Sequence, residues 1–294
     1  MFGSHQVPMP ERPCKISNTQ NTTMSINKLK YVLQLADNAL ILGHRISEWC
    51  GHGPVLEQDI AITNTALDHL GQARSLYQYA AELYNQMPES EKTDFFASPA
   101  FADTGKPITE DTLAYLRDGW DFRNVLLTEQ PNDDWAYTIA RSFFYDNYSF
   151  LLYTALKESS DATLAAIAEK SLKEVQYHRR WSSEWVIRLG DGTEESKARM
   201  QEAVQERWSF YGELFIPSAA DKAMEAEGVA PDIASLKAAW DKQVATIFEE
   251  ATLDMPAPDA WMQTGGKEGN HSEHLGYILA EMQSMQRAYP GMEW

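Results

Sequence analysis

Four long stretches of this 294-residue chain repeat apolar residues at helical spacing, and they fall into two close pairs separated by a long irregular segment. Apolar side chains three and four positions apart line one face of a helix, and the residues between them are mostly good helix formers. Strand-like alternation is scarce. The periodicity predicts a first helix over 26–50, stopped at 51–54 (GHGP), where two glycines and a proline disfavour continuation. A second helix is predicted from 55 to about 84. The stretch 86–132 carries several prolines and glycines and is read as a crossover with two short helices near 109–117 and 121–129. Third and fourth helices are predicted over 133–158 and 161–189. They are separated by Ser159 and Ser160, and each opens on an aspartate suited to a helix start.

Helix pair, long connection, helix pair is the order of a ferritin-like four-helix bundle, in which one crossover joins two antiparallel hairpins. The predicted fold class is therefore all-α, a ferritin-like bundle with a long crossover and additional C-terminal helices. Periodicity alone does not separate this from other helical bundles. A turn at 190–192 leads into helices near 193–214 and 233–252, a glycine-rich loop at 265–269 and a last helix near 272–287. The division expected is a disordered tail or cloning-derived segment over 1–25, the bundle over 26–190, and a helical extension packed on it over 191–294. Hydrophobic residues make up 44% of the chain, with 9 Trp, 13 Tyr and 11 Phe, enough for a large core. The densest aromatic run, RSFFYDNYSFLLY at 141–153, reads as core or buried subunit interface, with a substrate pocket as the weaker alternative.

The 25 Lys and Arg stand against 43 Asp and Glu, a formal charge of −18 at pH 7. Nucleic acid is thus not an expected partner, because phosphate binding rests on clustered cations that release counterions. The apolar runs stop well short of the roughly 18 residues that a membrane span needs, so no membrane partner is expected either. Cys14 and Cys50 have neither metal-ligand spacing nor a disulfide framework, which suits a reducing cytoplasm. The first 25 residues lack the apolar region of a secretory signal, their GSH resembles a cloning scar, and Met24 is a candidate natural start.

Ferritin-like di-iron enzymes take a Glu from each of two helices and an ExxH pair from each of the other two, the spacing of three placing both ligands on one face. Three residues before His69 stands Ala66, and three before His178 stands Val175, neither able to bind a metal. The one true ExxH, Glu268–His271, lies among glycines that oppose a helix. Asp37 precedes His69 by 32 residues and Asp146 precedes His178 by 32, so the two halves are offset by 109 positions, as two pseudo-symmetric hairpins would be. Asp37 shares a stripe with Leu33, Leu40 and Ile41, and Asp146 with Phe143 and Phe150, so both are candidates to face inward.

Two Asp and two His without bridging carboxylates make a poor di-iron site, since oxygen activation needs carboxylates that bridge and shift. The preferred reading is a buried, hydrogen-bonded Asp–His pair in each half. Asp37, His69, Asp146 and His178 are thus weak candidates for a vestigial metal site, and no catalytic, cofactor-binding or functional metal residue is assigned. His44, Glu48 and His52, and the group Glu268, His271, Glu273 and His274, read as polar clusters at helix ends. No GxSxG, Walker or GxGxxG motif is present.

The segments EWCGHGPVLEQDIA (48–61), LDHLGQAR (67–74), LLTEQPNDDWAYTIAR (126–141), EVQYHRRW (174–181) and TGGKEGNHSEHLGYILAEMQSMQR (264–287) resemble the structural, C-type family of the bacterial phenylacetyl-CoA epoxidase complex. The resemblance runs in order from about residue 27 to the last residue. It implies a ferritin-like subunit without a di-iron site of its own, structural in role, stabilising a homologous catalytic A-type subunit that holds the di-iron centre. It also implies an A2C2 heterotetramer, further small subunits, and a reductase subunit delivering electrons from NADPH through FAD and an iron-sulfur centre. The complex epoxidises the ring of phenylacetyl-CoA with dioxygen. The rival reading is a self-sufficient ferritin-like di-metal oxidase or oxygenase.

Overall fold

The computed structural model describes residues 16–92, 95–96, 107–257, 260–289 and 292, with side chains from residue 26 onward. Expectations for residues 1–15 lie outside the described residues. All regular elements among the described residues are helical. The first helix, α1 (Ile16–Ser47), begins ten residues earlier than the periodicity suggested and pairs with α2 (Leu56–Gln86). Among the described residues the crossover carries the short helices α3 (Glu89–Lys92), α4 (Glu110–Tyr115) and α5 (Leu126–Glu129), and a 3-10 turn at Gly119–Asp121. The second hairpin is α6 (Trp135–Leu156) with α7 (Ala162–Gly190), and α2 against α7 joins the two hairpins. This is the ferritin-like arrangement.

Among the described residues the α-helices that follow are α8 (Glu194–Tyr211), α9 (Ala219–Ala226), α10 (Lys237–Glu250), α11 (Glu273–Met282) and α12 (Ser284–Ala288). The periodicity missed α9, although Ser218 and Asp221 form a reciprocal capping box at its start. Helices α8 and α10 pack on α6 and α7, while α9 and α11 pack on α1. The aromatic run on α6 is core, and α8 and α10 cover it: Phe143 stacks on Phe248 at 5.9 Å, and Phe144 meets Trp208 and Trp240 at 5.7 Å each. The buried Trp240 Nε1 donates to the Phe144 carbonyl at 3.0 Å, which satisfies the indole that this packing removes from water.

Asp161 shows how one side chain sets a helix start and ties the hairpins. Its carboxylate accepts from the Thr163 and Leu164 amides at the head of α7, and also from Lys28 Nζ and Tyr79 Oη, each at 2.7 Å. The loop 264–271 is held by a second buried carboxylate. Glu213 Oε1 accepts from the Gly265 and Gly266 amides, and its Oε2 from the Leu126 amide at 2.7 Å. A Cβ on Gly266 would lie 2.3 Å from the Asn124 carbonyl oxygen, and Gly269 has φ +87°, so this clamp needs glycine for close approach at one position and for a left-handed backbone at the other.

Candidate functional site

Asp37 on α1, His69 on α2, Asp146 on α6 and His178 on α7 are all buried in the bundle, so the 109-residue offset corresponds to equivalent helices of the two hairpins. Their surroundings are not equivalent. Asp37 is claimed by the crossover: its Oδ1 pairs with Arg117 Nη2 and accepts from Tyr77 Oη at 2.5 Å, while Oδ2 accepts from Arg117 Nη1 at 3.1 Å and from the Arg123 amide at 2.8 Å. The guanidinium also lies 4.1 Å from the centre of the Phe122 ring. Burial opposes the Arg117 charge, but Asp37 and Tyr77 together raise its pKa above the ordinary arginine value. Burial first, and then the Asp37 charge, push the Tyr77 phenol well up. The result is a fully buried, multiply bonded ion pair.

The second half is different. One ligand atom from each of His69, Asp146 and His178 lies within 4.8 Å of the others. The two imidazoles face each other with ring centroids 4.9 Å apart. His178 Nε2 donates to Asp68 Oδ2 at 2.9 Å, but its Nδ1 has no partner. Both ring nitrogens of His69 and Oδ2 of Asp146 are buried without a hydrogen bond. Burial, then His178 and Arg141, hold His69 well below the usual histidine range. Burial raises the Asp146 carboxyl to about 6, against the opposing pull of His178, Ser182 and Arg141. The expected Asp–His pairs do not form, because Arg117 engages Asp37 and Asp68 engages His178.

The sequence from residue 14 to 294 matches the family described as phenylacetic acid catabolic protein. The chain belongs to the phenylacetic acid catabolic protein family. It is similar to the C subunit of the 1,2-phenylacetyl-CoA epoxidase of Escherichia coli (strain K12), at 46% identity over 264 residues, which is 90% of this chain and 98% of that protein.

The ferritin-like fold of this family member raises the question of a di-iron centre, and its residues do not fit one. Ala66 and Val175, both buried, stand where the two bridging-capable glutamates of ExxH pairs would be needed. The carboxylate of Asp37 is already neutralised by a guanidinium, whose positive charge repels a cation there. Arg117 lies in the crossover, 80 residues from Asp37, so no spacing rule could have announced it. Asp68 was legible in principle: it adjoins His69, but it serves the histidine of the other hairpin.

The remaining clusters are structural. Helix α1 ends at Ser47, so His44, Glu48 and His52 share no helical face, and Glu48 binds Arg45 and the Asn132 amide at 2.7 and 2.8 Å. His271 Nδ1 and Nε2 face Glu129 Oε2 at 2.9 Å and the Phe122 carbonyl at 3.0 Å, tying the C-terminal loop to the crossover, and Glu268 is exposed. On the outside of α2, Leu56, Ile60 and Leu67 form one exposed apolar stripe, 72%, 53% and 60% accessible. Tyr177, beside the His178–Asp68 contact, is a further exposed apolar group on α7.

Proposed function

We propose that this chain is a structural, non-catalytic member of a multicomponent epoxidase acting on phenylacetyl-CoA in aerobic phenylacetate breakdown. The observation that carries the proposal is the 46% identity to a C-type subunit of such an epoxidase along 98% of its length. The chemistry of the core supports it. A bundle that holds Ala66, Val175 and an Arg117–Asp37 pair in place of bridging carboxylates supplies no ligand set for a di-iron centre, yet keeps the helix faces of a bundle intact. In this reading the oxidation belongs to a homologous di-iron A-type subunit, which this chain stabilises by burying apolar surface against it. The stripe Leu56, Ile60 and Leu67 on α2 is the proposed face, because three large apolar side chains on one helix side lose free energy by staying in water.

The assembly proposed is two A-type and two C-type chains, with small subunits and a reductase carrying FAD and an iron-sulfur centre that draws on NADPH, in the cytoplasm. Among the described residues no helix is long and apolar enough to cross a membrane. The test is reconstitution from separately purified chains. The A-type partner together with this chain should oxidise phenylacetyl-CoA when the reductase and NADPH are supplied, and should lose that activity when this chain is omitted. Two irons bound per chain after ferrous loading, together with oxygen consumption in the absence of any partner, would instead establish a self-sufficient di-metal oxidase.

A further inference from the structure

We propose that His69, Asp146 and His178 form a mononuclear site for one divalent transition-metal ion, distinct in ligands and nuclearity from the two-iron centre that this bundle cannot hold. The three side chains are buried and come from α2, α6 and α7, and one ligand atom of each lies within 4.8 Å of the others. Their hydrogen-bonding state points the same way. The carboxylate Oδ2 of Asp68 can only accept, so the contact places a proton on His178 Nε2 and turns the unpartnered Nδ1, the nitrogen that would take a metal, toward the cluster. Asp146 Oδ2 and both nitrogens of His69 are equally without partners. Buried acceptors left in this condition cost free energy, so three of them meeting in one place call for an electrophile.

The Asp68–His178 contact is the second observation. Metal-binding imidazoles commonly donate their remote N–H to a carboxylate, which fixes the tautomer and makes the facing nitrogen more basic. Asp68 performs that role here from the helix that carries His69. Two imidazoles and a carboxylate suit zinc, iron or a neighbouring first-row divalent ion, whereas magnesium and calcium prefer all-oxygen sites. Bonds of about 2.0–2.2 Å bring ligand atoms to roughly 3.3 Å of one another, so the cluster must contract on binding. Neither His69 nor Asp146 Oδ2 has a hydrogen bond to break in doing so. Arg141 Nη1 and Nη2 are turned to the Gln130 and Pro131 carbonyls and to Asn132 Oδ1, and this nearby positive charge opposes the cation.

The inference does not depend on the structural role proposed above. Its test is a titration of the full chain, stripped of metal by a chelator, with cobalt(II) and then zinc(II). The expected result is visible d–d absorption that saturates at one cobalt per chain and is abolished by one equivalent of zinc. Asp146→Asn and His69→Gln, chosen for their close fit to the native volumes, should weaken cobalt binding at least 100-fold while leaving the helical circular dichroism unchanged. Asp68→Asn should weaken it about 10–100-fold, as loss of a carboxylate behind a metal-bound histidine does. Absence of saturable absorption in the folded wild-type chain would overturn the proposal, and so would cobalt binding of equal strength in Asp146→Asn and His69→Gln. An ordered water in an experimental structure of the zinc-treated protein, bonded to these three side chains in place of an ion, would also overturn it.

Discussion

Two buried aspartates, matched in sequence position, have opposite fates in this protein, and single side chains decide which. Asp37 meets Arg117, Tyr77 and a backbone amide, whereas Asp146 Oδ2 meets none of these. Removing one partner of a buried ion pair leaves an uncompensated charge. Arg117→Met should therefore destabilise the chain by about 3–5 kcal/mol. The double variant Asp37→Asn with Arg117→Met should be more stable than the single Arg117→Met, as measured by urea unfolding in a double-mutant cycle. Asp161 carries a pH-dependent term. Burial opposes its ionisation, but the Lys28 and Tyr79 hydrogen bonds prevail and hold its carboxyl below the ordinary range. A carboxylate with a lowered folded-state pKa contributes stability that is present above its unfolded value, about 3.9, and is lost as pH falls through the folded value. Asp161→Asn keeps an acceptable helix cap, so it should cost about 1–3 kcal/mol at pH 7, with the difference from wild type narrowing in urea melts as the pH falls below the unfolded value of about 3.9.

At the scale of elements, the long helices and the short α4 were legible, whereas α9 was not and the reading at 121–129 resolved into a 3-10 turn and the shorter α5. Four stretches of periodic apolar residues bounded by glycine, proline and aspartate carry their own start and stop signals. A helix such as α5, four buried residues long, exists because Leu126, Leu127 and Glu129 are packed and bonded by distant segments. The aromatic run on α6 could be recognised as buried, but its cover, α8 and α10, follows from tertiary packing. Residues 26–190 are accordingly proposed to need the extension. A chain ending at residue 190 should bare Phe143 and Phe144 and yield insoluble protein or a loss of cooperative thermal unfolding. The clamp around Glu213 makes a narrower prediction. Gly266→Ala drives a methyl group into the Asn124 carbonyl, and should lower stability by about 1–3 kcal/mol in denaturant unfolding.

For the whole molecule, a formal charge of −18 surrounds an exposed apolar stripe on α2. Leu67→Asp on that face should leave unfolding free energy within about 0.5 kcal/mol of wild type, since the side chain is largely in water in the isolated chain. It should nevertheless weaken pull-down of the proposed A-type partner by at least tenfold, the effect of losing a contact worth more than about 1 kcal/mol in a buried interface. Retention of full pull-down would move the interface elsewhere.

The sequence by itself determined the all-helical class, the two-hairpin order and the family, because helical periodicity, breakers and long ordered segments are properties of neighbours along the chain. It also determined that carboxylates are missing three residues before His69 and His178, since a spacing can be counted. Only the tertiary structure decided what became of the ionisable groups left behind. A guanidinium from the crossover neutralises Asp37, and a carboxylate from α2 orients His178. Both events join residues tens of positions apart in a medium of low polarity, where the identity of the nearest partner, and not its distance in sequence, sets the energy.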